Sequence, residues 1–371
     1  MNNTGWLIFP FLILAFLACD NRGNTTDLSH LIVKTGKKYV PDKRLGVWNF
    51  HLDLTGSIIR GETTSNAGLA DLKHQIRSQA FGESIHWEVA LLPDSLLGDS
   101  TAGIIRVSVA HLRKNPRHSM EMISQGLLGA PVDILKAVHG YYLVRMEDGY
   151  IGWMSRYAID RMTPDVQNKW LESNLGIYRE ISGSIYSFPS SSGDVVSDIP
   201  MGARVQILSI RNGWVHVEMP DARTGYLPRK ALYTQDEFLA IQPAAENIIH
   251  LGKQLLGVSY LWGGTSVYGL DCSGFTQTLF KMNGRLLPRD ANLQVNEGTA
   301  IDTSDNFSHL CPGDLLFFGH TSDHITHVGL YIGNLEFIHE SGMVKINSFD
   351  PNASNYNARR RHGLQQVKRV L

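Results

Sequence analysis

Two stretches, Asp271-Cys272-Ser273-Gly274 and Ile325-Thr326-His327-Val328-Gly329-Leu330-Tyr331-Ile332-Gly333, decide the fold, because they set one cysteine at a helix start against one histidine on a strand. After Cys272, the run Phe275, Thr276, Leu279, Phe280 has helical spacing, with Ser273 and Gly274 in the first turn. From His327 onward, Val328, Leu330 and Ile332 alternate with His327, Gly329 and Tyr331, so one strand face is apolar and the other is free to line a cleft. A thiol attacks a carbonyl only as thiolate. A helix N-terminus and a nearby imidazole both lower its pKa from roughly 8.5 to below about 7.5. Cys272 has both on offer, which is the skeleton of a thiol hydrolase.

A second strand, Phe337-Ile338-His339-Glu340, supplies a third member, His339, to hold the His327 ring in one tautomer. The two histidines lie an even number of residues apart and must share a face. A two-residue turn at Gly333-Asn334 would pair Ile332 with Leu335 and put them on opposite faces. The spacing therefore predicts a three- or five-residue loop, or a bulge, near Gly333.

Tyr260-Leu261-Trp262-Gly263-Gly264, Asp271-Cys272-Ser273-Gly274-Phe275, Pro288-Arg289-Asp290, Pro312-Gly313-Asp314-Leu315 and His327-Val328-Gly329-Leu330-Tyr331-Ile332-Gly333 form an ordered set that resembles the motifs of the NlpC/P60 cysteine peptidases. The resemblance implies a papain-like fold of α+β class, with the nucleophile on a helix packed against an antiparallel sheet that carries the histidines. It also implies a substrate among peptidoglycan stem peptides, cut around D-glutamate and a diamino acid, with the Tyr260 hydroxyl near the oxyanion.

The chain has 371 residues, 43% hydrophobic and 19% charged, which is ordinary globular material for more than one domain. A formal net charge of -1 gives no global attraction to nucleic acid, and none is expected as a partner. Residues 1–19 read as a targeting segment: Trp6 to Ala18 is almost wholly apolar and ends at Phe16-Leu17-Ala18-Cys19. It resembles a bacterial lipoprotein signal with Cys19 acylated, which implies a periplasm-facing protein of the cell envelope, held to the membrane by that lipid. The remaining cysteines are Cys272 and Cys311; a bridge between them would block the nucleophile, and a small buried thiol is the bland reading of Cys311.

Gly129-Ala130-Pro131-Val132-Asp133-Ile134-Leu135, Gly140-Tyr141-Tyr142-Leu143-Val144 and Gly152-Trp153 recur 73 residues later as Gly202-Ala203-Arg204-Val205-Gln206-Ile207-Leu208, Gly213-Trp214-Val215-His216-Val217 and Gly225-Tyr226. Short alternating strands with glycine turns predict two small all-β barrels, 103–160 and 175–234, similar to bacterial SH3-like modules. Residues 24–102 read as a small, mainly helical region docked on the barrels. Ile248, Leu251 and Leu255 mark the first helix of a catalytic domain spanning 240–371.

This domain order resembles the γ-D-glutamyl-L-diamino acid endopeptidases of dipeptidyl-peptidase VI type, which trim free murein peptides. In that subgroup the first module closes one end of the cleft and the site takes a free N-terminal L-alanine. The resemblance places Glu121, Tyr150 and Asp271 around its ammonium, and Ala291 where serine is common. Two carboxylates suit a buried cation, and an amide-capped substrate would leave them unpaired at several kcal/mol. The bland readings are a solvated charge for Glu121, a packed aromatic for Tyr150 and a helix cap for Asp271. Arg289 and Asp290 form either an ion pair at the cleft edge or part of a substrate pocket.

A thiol mechanism needs no metal or other cofactor, and the spacing of His320, Asp323, His324 and His327 is irregular for a metal site. A monomer acting on peptidoglycan-derived peptides is expected. Two other readings stay open: a lipid-anchored wall-binding protein with a vestigial hydrolase domain, and an acyltransferase or amidase on the same scaffold. Hydrolysis of polymeric peptidoglycan is a further substrate alternative.

Overall fold

The computed structural model describes residues 21–54, 56–79 and 84–371. Segment 1–19 and Cys19 lie outside the described residues. The chain divides into two compact units, the first ending at Leu91 and the second running from Leu92 to Leu371.

The first unit corrects the expectation of a mainly helical region. It holds helices Asn21–Tyr39 and Asn66–Arg77, with strands Trp48–Leu52, Ile58–Thr63 and His86–Leu91. The first two strands pair antiparallel; the third joins Ile58–Thr63 in parallel, after the chain crosses over through the second helix. A parallel partner reached through a helix leaves no hairpin signal in the sequence, so local pattern does not announce this sheet. Leu28, Ile59, Leu72 and Ile76 are its core. Residues 92–102 belong to the second unit, where the Asp94 N–H donates to the Leu135 carbonyl at 2.8 Å and Leu97 enters the first barrel's core.

The 73-residue offset covers far more than the repeated motifs. Strands Ala102–Ile105, Val109–Arg113, Met122–Leu127, Pro131–Val138, Tyr141–Arg145 and Ile151–Ser155 recur as Leu175–Tyr178, Ser182–Tyr186, Val195–Pro200, Arg204–Arg211, Trp214–Glu218 and Thr224–Pro228. The two seven-stranded sheets have the same strand order. Core residues match one for one: Leu112, Val132, Ile134 and Val144 against Ile185, Val205, Ile207 and Val217. Each long hairpin turns through two residues of positive φ, His139-Gly140 (46° and 84°) and Asn212-Gly213 (50° and 80°), the turn whose twist suits paired strands.

The third region is a six-stranded antiparallel sheet in the order Thr299–Ala300, Leu364–Arg369, Leu315–Thr321, His324–Gly333, Glu336–Glu340, Val344–Ser348. Helix Cys272–Lys281 lays Phe275 and Leu279 on Val328, Leu330 and Ile338. The other sheet face is also filled, by Phe318, Tyr331, Phe337 and Phe349. The strand's second face is therefore a second apolar layer in which His327 and His339 are buried against Phe318 and Phe337, where the alternation suggests a free cleft wall.

Candidate active site

Asp271 caps the nucleophile helix, its Oδ1 accepting from the Gly274 N–H at 2.7 Å. That fixes Cys272 as the first helical residue. Cys272 is only 8% exposed, and N–H groups of Val328 and Ser273 donate toward its sulfur. Val328 directly follows His327, so the thiol meets the histidine strand at the intended point.

Burial works against the lowered thiol that the helix start and a nearby imidazole lead one to expect. Burial, seconded by the Asp271 charge, pushes Cys272 up to about 11, against the opposing N–H groups and Arg289. Burial first, then Arg360, holds His327 well below the ordinary imidazole value. Both shifts favour the uncharged thiol and the uncharged imidazole, so they favour moving the proton as the sulfur attacks over storing a preformed thiolate. A helix start favours thiolate, but removal from water outweighs it here.

His327 Nε2 and His339 Nδ1 lie 2.8 Å apart. Leu330 pairs Ile338 and Tyr331 pairs Phe337, then the register slips so that Gly333 pairs Glu336 around Asn334 and Leu335, both at positive φ (52° and 60°). A two-residue turn alone would put the histidines on opposite faces; the bulge at Ile332 returns them to one. Continuing this register sets His339 opposite Gly329, so it reaches His327 diagonally. A Cβ on Gly329 would stand 3.1 Å from His339 Cβ, which makes glycine useful there. His339's other nitrogen, Nε2, meets Asn347 Oδ1 at 2.9 Å, a residue that no motif flagged.

Tyr260 is half-buried beside the thiol. Burial, with Cys272 and Asp271 as charged neighbours, raises its hydroxyl. Glu340, next to His339 in sequence and 0% exposed, has neither carboxylate oxygen hydrogen-bonded among the described residues. Burial pushes it up to about 7.

The first barrel supplies one side of the site. Arg289, 1% exposed, donates from Nε to Ser124 Oγ at 3.1 Å and makes a two-pronged pair with Asp271 at 3.0 and 2.5 Å. Of the two roles left open for Arg289, the ion pair is therefore present, but with Asp271. Asp290 instead accepts from the Tyr150 hydroxyl at 2.9 Å. Gln125 Oε1 accepts from the Thr265 and Ser266 N–H groups at 2.9 and 3.1 Å, a docking residue that sequence reading missed. Trp262 Nε1 donates to exposed Glu121 at 3.0 Å, and Lys114 reaches its other oxygen at 3.3 Å.

Asp271 also accepts from Gly263 N–H at 3.0 Å and Ser273 Oγ at 3.2 Å. A substrate ammonium would have to share oxygens already carrying these donors. Glu121 is the more accessible carboxylate. Ala291 is buried and opens the short helix Ala291–Gln294. Cys272 and Cys311 are both free, and Cys311 is exposed, not the buried thiol its Pro-Gly neighbourhood suggested. His320 and His324 stack at 6.3 Å toward the exposed hairpin end, while His327 turns to His339.

The NlpC/P60 family matches residues 257–363, the bacterial dipeptidyl-peptidase Sh3 domain matches 112–159, and the bacterial SH3 domain matches 182–233. The chain is 31% identical over 227 residues to a protein of Bacillus cereus (strain ATCC 10987 / NRS 248) named gamma-D-glutamyl-L-lysine dipeptidyl-peptidase, covering 58% of this chain and 66% of that relative, just under two thirds of its length. Dipeptidyl-peptidase 6 of Lysinibacillus sphaericus is 26% identical over 261 residues, covering 67% of this chain and 91% of its own. The crystal structure of an NlpC/P60 family protein from Bacillus cereus ATCC 10987 superposes with a TM-score of 0.63 at 25% identity, over 73% of this chain and 99% of that one. With the papain-like arrangement of helix and sheet already described, residues 257–363 are an NlpC/P60 domain by similarity, and the two barrels ahead of it are similar to SH3 domains.

Proposed function

We propose that this chain is a cysteine peptidase that hydrolyses the γ-D-glutamyl-diamino acid bond of peptidoglycan-derived peptides bearing a free N-terminal L-alanine, in turnover and recycling of cell-wall peptides. The observation that carries the reading is the capped helix start that seats the Cys272 sulfur against Val328, with His327 and His339 joined at 2.8 Å on the same strand pair. The names of the relatives support the bond type.

In this reading His327 takes the Cys272 proton as sulfur bonds to the γ-glutamyl carbonyl carbon. The Cys272 N–H and the Tyr260 hydroxyl hold the oxyanion. His327 returns the proton to the departing amine, which leaves a thioester of L-Ala-γ-D-Glu. Water then adds to the thioester as His327 removes its proton, and collapse expels the sulfur, which recovers that proton as L-Ala-D-Glu departs. Glu121 and Tyr150, with Asp271 behind them, form the end that meets the L-alanine ammonium; Arg289 and Asp290 shape the adjoining pocket. We further propose a lipid-anchored monomer facing the periplasm, with the lipid on Cys19.

Protein lacking residues 1–19 would be incubated with free L-Ala-γ-D-Glu-diaminopimelate or the lysine peptide, the N-acetylated forms and intact peptidoglycan, alongside Cys272→Ala. Mass spectrometry should find L-Ala-D-Glu from the free-amine peptides alone, and none with Cys272→Ala. Polymer cleavage would overturn the substrate assignment. Binding to insoluble peptidoglycan with no product from any substrate would overturn the enzyme reading. Tyr260→Phe should lower turnover about 100- to 1000-fold while peptide binding persists.

A further inference from the structure

We propose that Asn347, itself held by Asn357, fixes the tautomers of both histidines and so leaves His327 Nδ1 as the bare nitrogen that receives the thiol proton. This makes Asn347 a positioning residue, and it rests on reading His327 as the base.

Two main-chain groups whose polarity cannot change orient the network from its outer end. The Arg360 N–H donates to Asn357 Oδ1 at 3.0 Å, which turns the Asn357 amide nitrogen toward Asn347. Asn347 Nδ2 donates to the Asn355 carbonyl at 3.0 Å, which turns Asn347 Oδ1 the other way. Flipping Asn347 would set oxygen against oxygen at Asn355. Asn347 Oδ1 then accepts from Asn357 Nδ2 at 3.0 Å and stands 2.9 Å from His339 Nε2.

An acceptor at that point requires a proton on His339 Nε2. Neutral His339 therefore has a bare Nδ1, which can only accept, and its partner at 2.8 Å, His327 Nε2, must donate. His327 Nδ1 is left with its lone pair. A proton on His339 Nδ1 would oppose the His327 N–H, so the relay also needs His339 neutral. Burial supports this by lowering His339 to about 4.

Among the described residues, no carboxylate acts on either histidine. His327 is faced by Arg359 and Arg360 from the helix Ala358–Gly363 and by Lys345 from the strand Val344–Ser348, besides His339. Arg360 and Lys345 act on His339 too, and Arg360 also neighbours the Cys272 thiol. The Phe318 ring packs against His327 with centroids 5.6 Å apart. An amide orients without adding the negative charge that would raise both imidazoles, so exchanging amide for carboxylate separates orientation from charge.

Nitrogen-15 spectra of the imidazoles and pH profiles of kcat/KM on L-Ala-γ-D-Glu-L-Lys would be measured for the wild-type chain, Asn347→Asp, Asn347→Ala and Asn357→Ala, with thermal unfolding as a folding check. Wild type should show both histidines as Nε2–H tautomers at neutral pH. Asn347→Asp gives up the hydrogen bond to the Asn355 carbonyl and sets its second oxygen there, but it keeps an acceptor toward His339 Nε2 and should keep those tautomers, while its acid limb moves up by about one pH unit as the carboxylate raises the pair. Asn347→Ala should give mixed tautomers and about a 100-fold lower kcat at little-changed KM, with Asn357→Ala between. Unchanged tautomers in Asn347→Ala, or an unmoved acid limb in Asn347→Asp, would overturn the relay. If Asn347→Ala fails to fold, Asn347→Asp still decides. If the chain cleaves no peptide, the proposed function falls, while the spectra still test the tautomers.

Discussion

The two barrels share a backbone at a constant 73-residue offset, yet they meet the catalytic domain in different ways. Glu121, Ser124, Gln125, Asp148 and Tyr150 of the first correspond to Asp194, Ser197, Asp198, Asp221 and Arg223 of the second. In the first barrel these residues touch Trp262, Arg289, Thr265, Gln277 and Asp290. In the second, Asp221 accepts from Arg223 at 2.8 Å within its own loop, and Asp198 accepts from the exposed Tyr268 hydroxyl at 3.2 Å. Matched apolar positions keep the barrel; the unmatched polar positions decide which copy borders the site. Fold and role thus sit on separate sets of residues in one repeat.

The sharpest way to break this contrast is at Arg289, which joins the first barrel to Asp271. Arg289→Met should cost about 3–5 kcal/mol in denaturant unfolding, because it leaves a buried carboxylate without its cation. Arg223→Gln in the second barrel breaks an exposed pair and should change stability by less than about 1 kcal/mol. Equal losses would remove the distinction.

Glu340 predicts the opposite sign, inside the catalytic sheet and away from either barrel. Its folded value, about 7, exceeds the ordinary carboxylate value of 4.5. Such a group gives its stability below the unfolded value and loses it as pH rises through the folded one. Glu340→Gln should therefore be neutral near pH 4 and stabilise by about 2–3 kcal/mol at pH 8, read as a pH-dependent rise in Tm. A variant that destabilises at pH 8 would show that the carboxylate has a partner.

Gln125 and Asp198 offer a smaller, direct test at the same short hairpin, Thr265–Leu270. Gln125→Ala strands two buried N–H groups and should cost about 1–3 kcal/mol. Asp198→Ala loses one exposed hydrogen bond and should fall within about 0.5 kcal/mol. Hydrogen exchange at Thr265 and Ser266 should rise in the first variant alone.

What could be read ahead of the structure followed local periodicity. The helix after Cys272, the strand through His327 and the repeat each have spacing of their own, and the even separation of His327 and His339 required the register slip found at Ile332. The unread features depend on pairs remote in sequence. Ile58–Thr63 finds His86–Leu91 across a helix, Arg289 chooses Asp271 over its neighbour Asp290, and Asn347 reaches His339 from the next strand. At Cys272 the helix dipole and an imidazole are visible in sequence, whereas the burial that opposes them is set by Val328, Phe275 and the surrounding core.

The first barrel's part in the site is tested most directly by the ratio of kcat/KM for L-Ala-γ-D-Glu-L-Lys over its N-acetylated form, measured for wild type, Glu121→Gln and the second-barrel counterpart Asp194→Asn. Wild type should prefer the free amine by at least about 100-fold, a preference reduced about tenfold or more in Glu121→Gln and unchanged in Asp194→Asn, with equal Cys272 alkylation rates in all three. Equal cleavage of both peptides by wild type, or the same loss of preference in both variants, would contradict the claim that the first barrel alone completes the site.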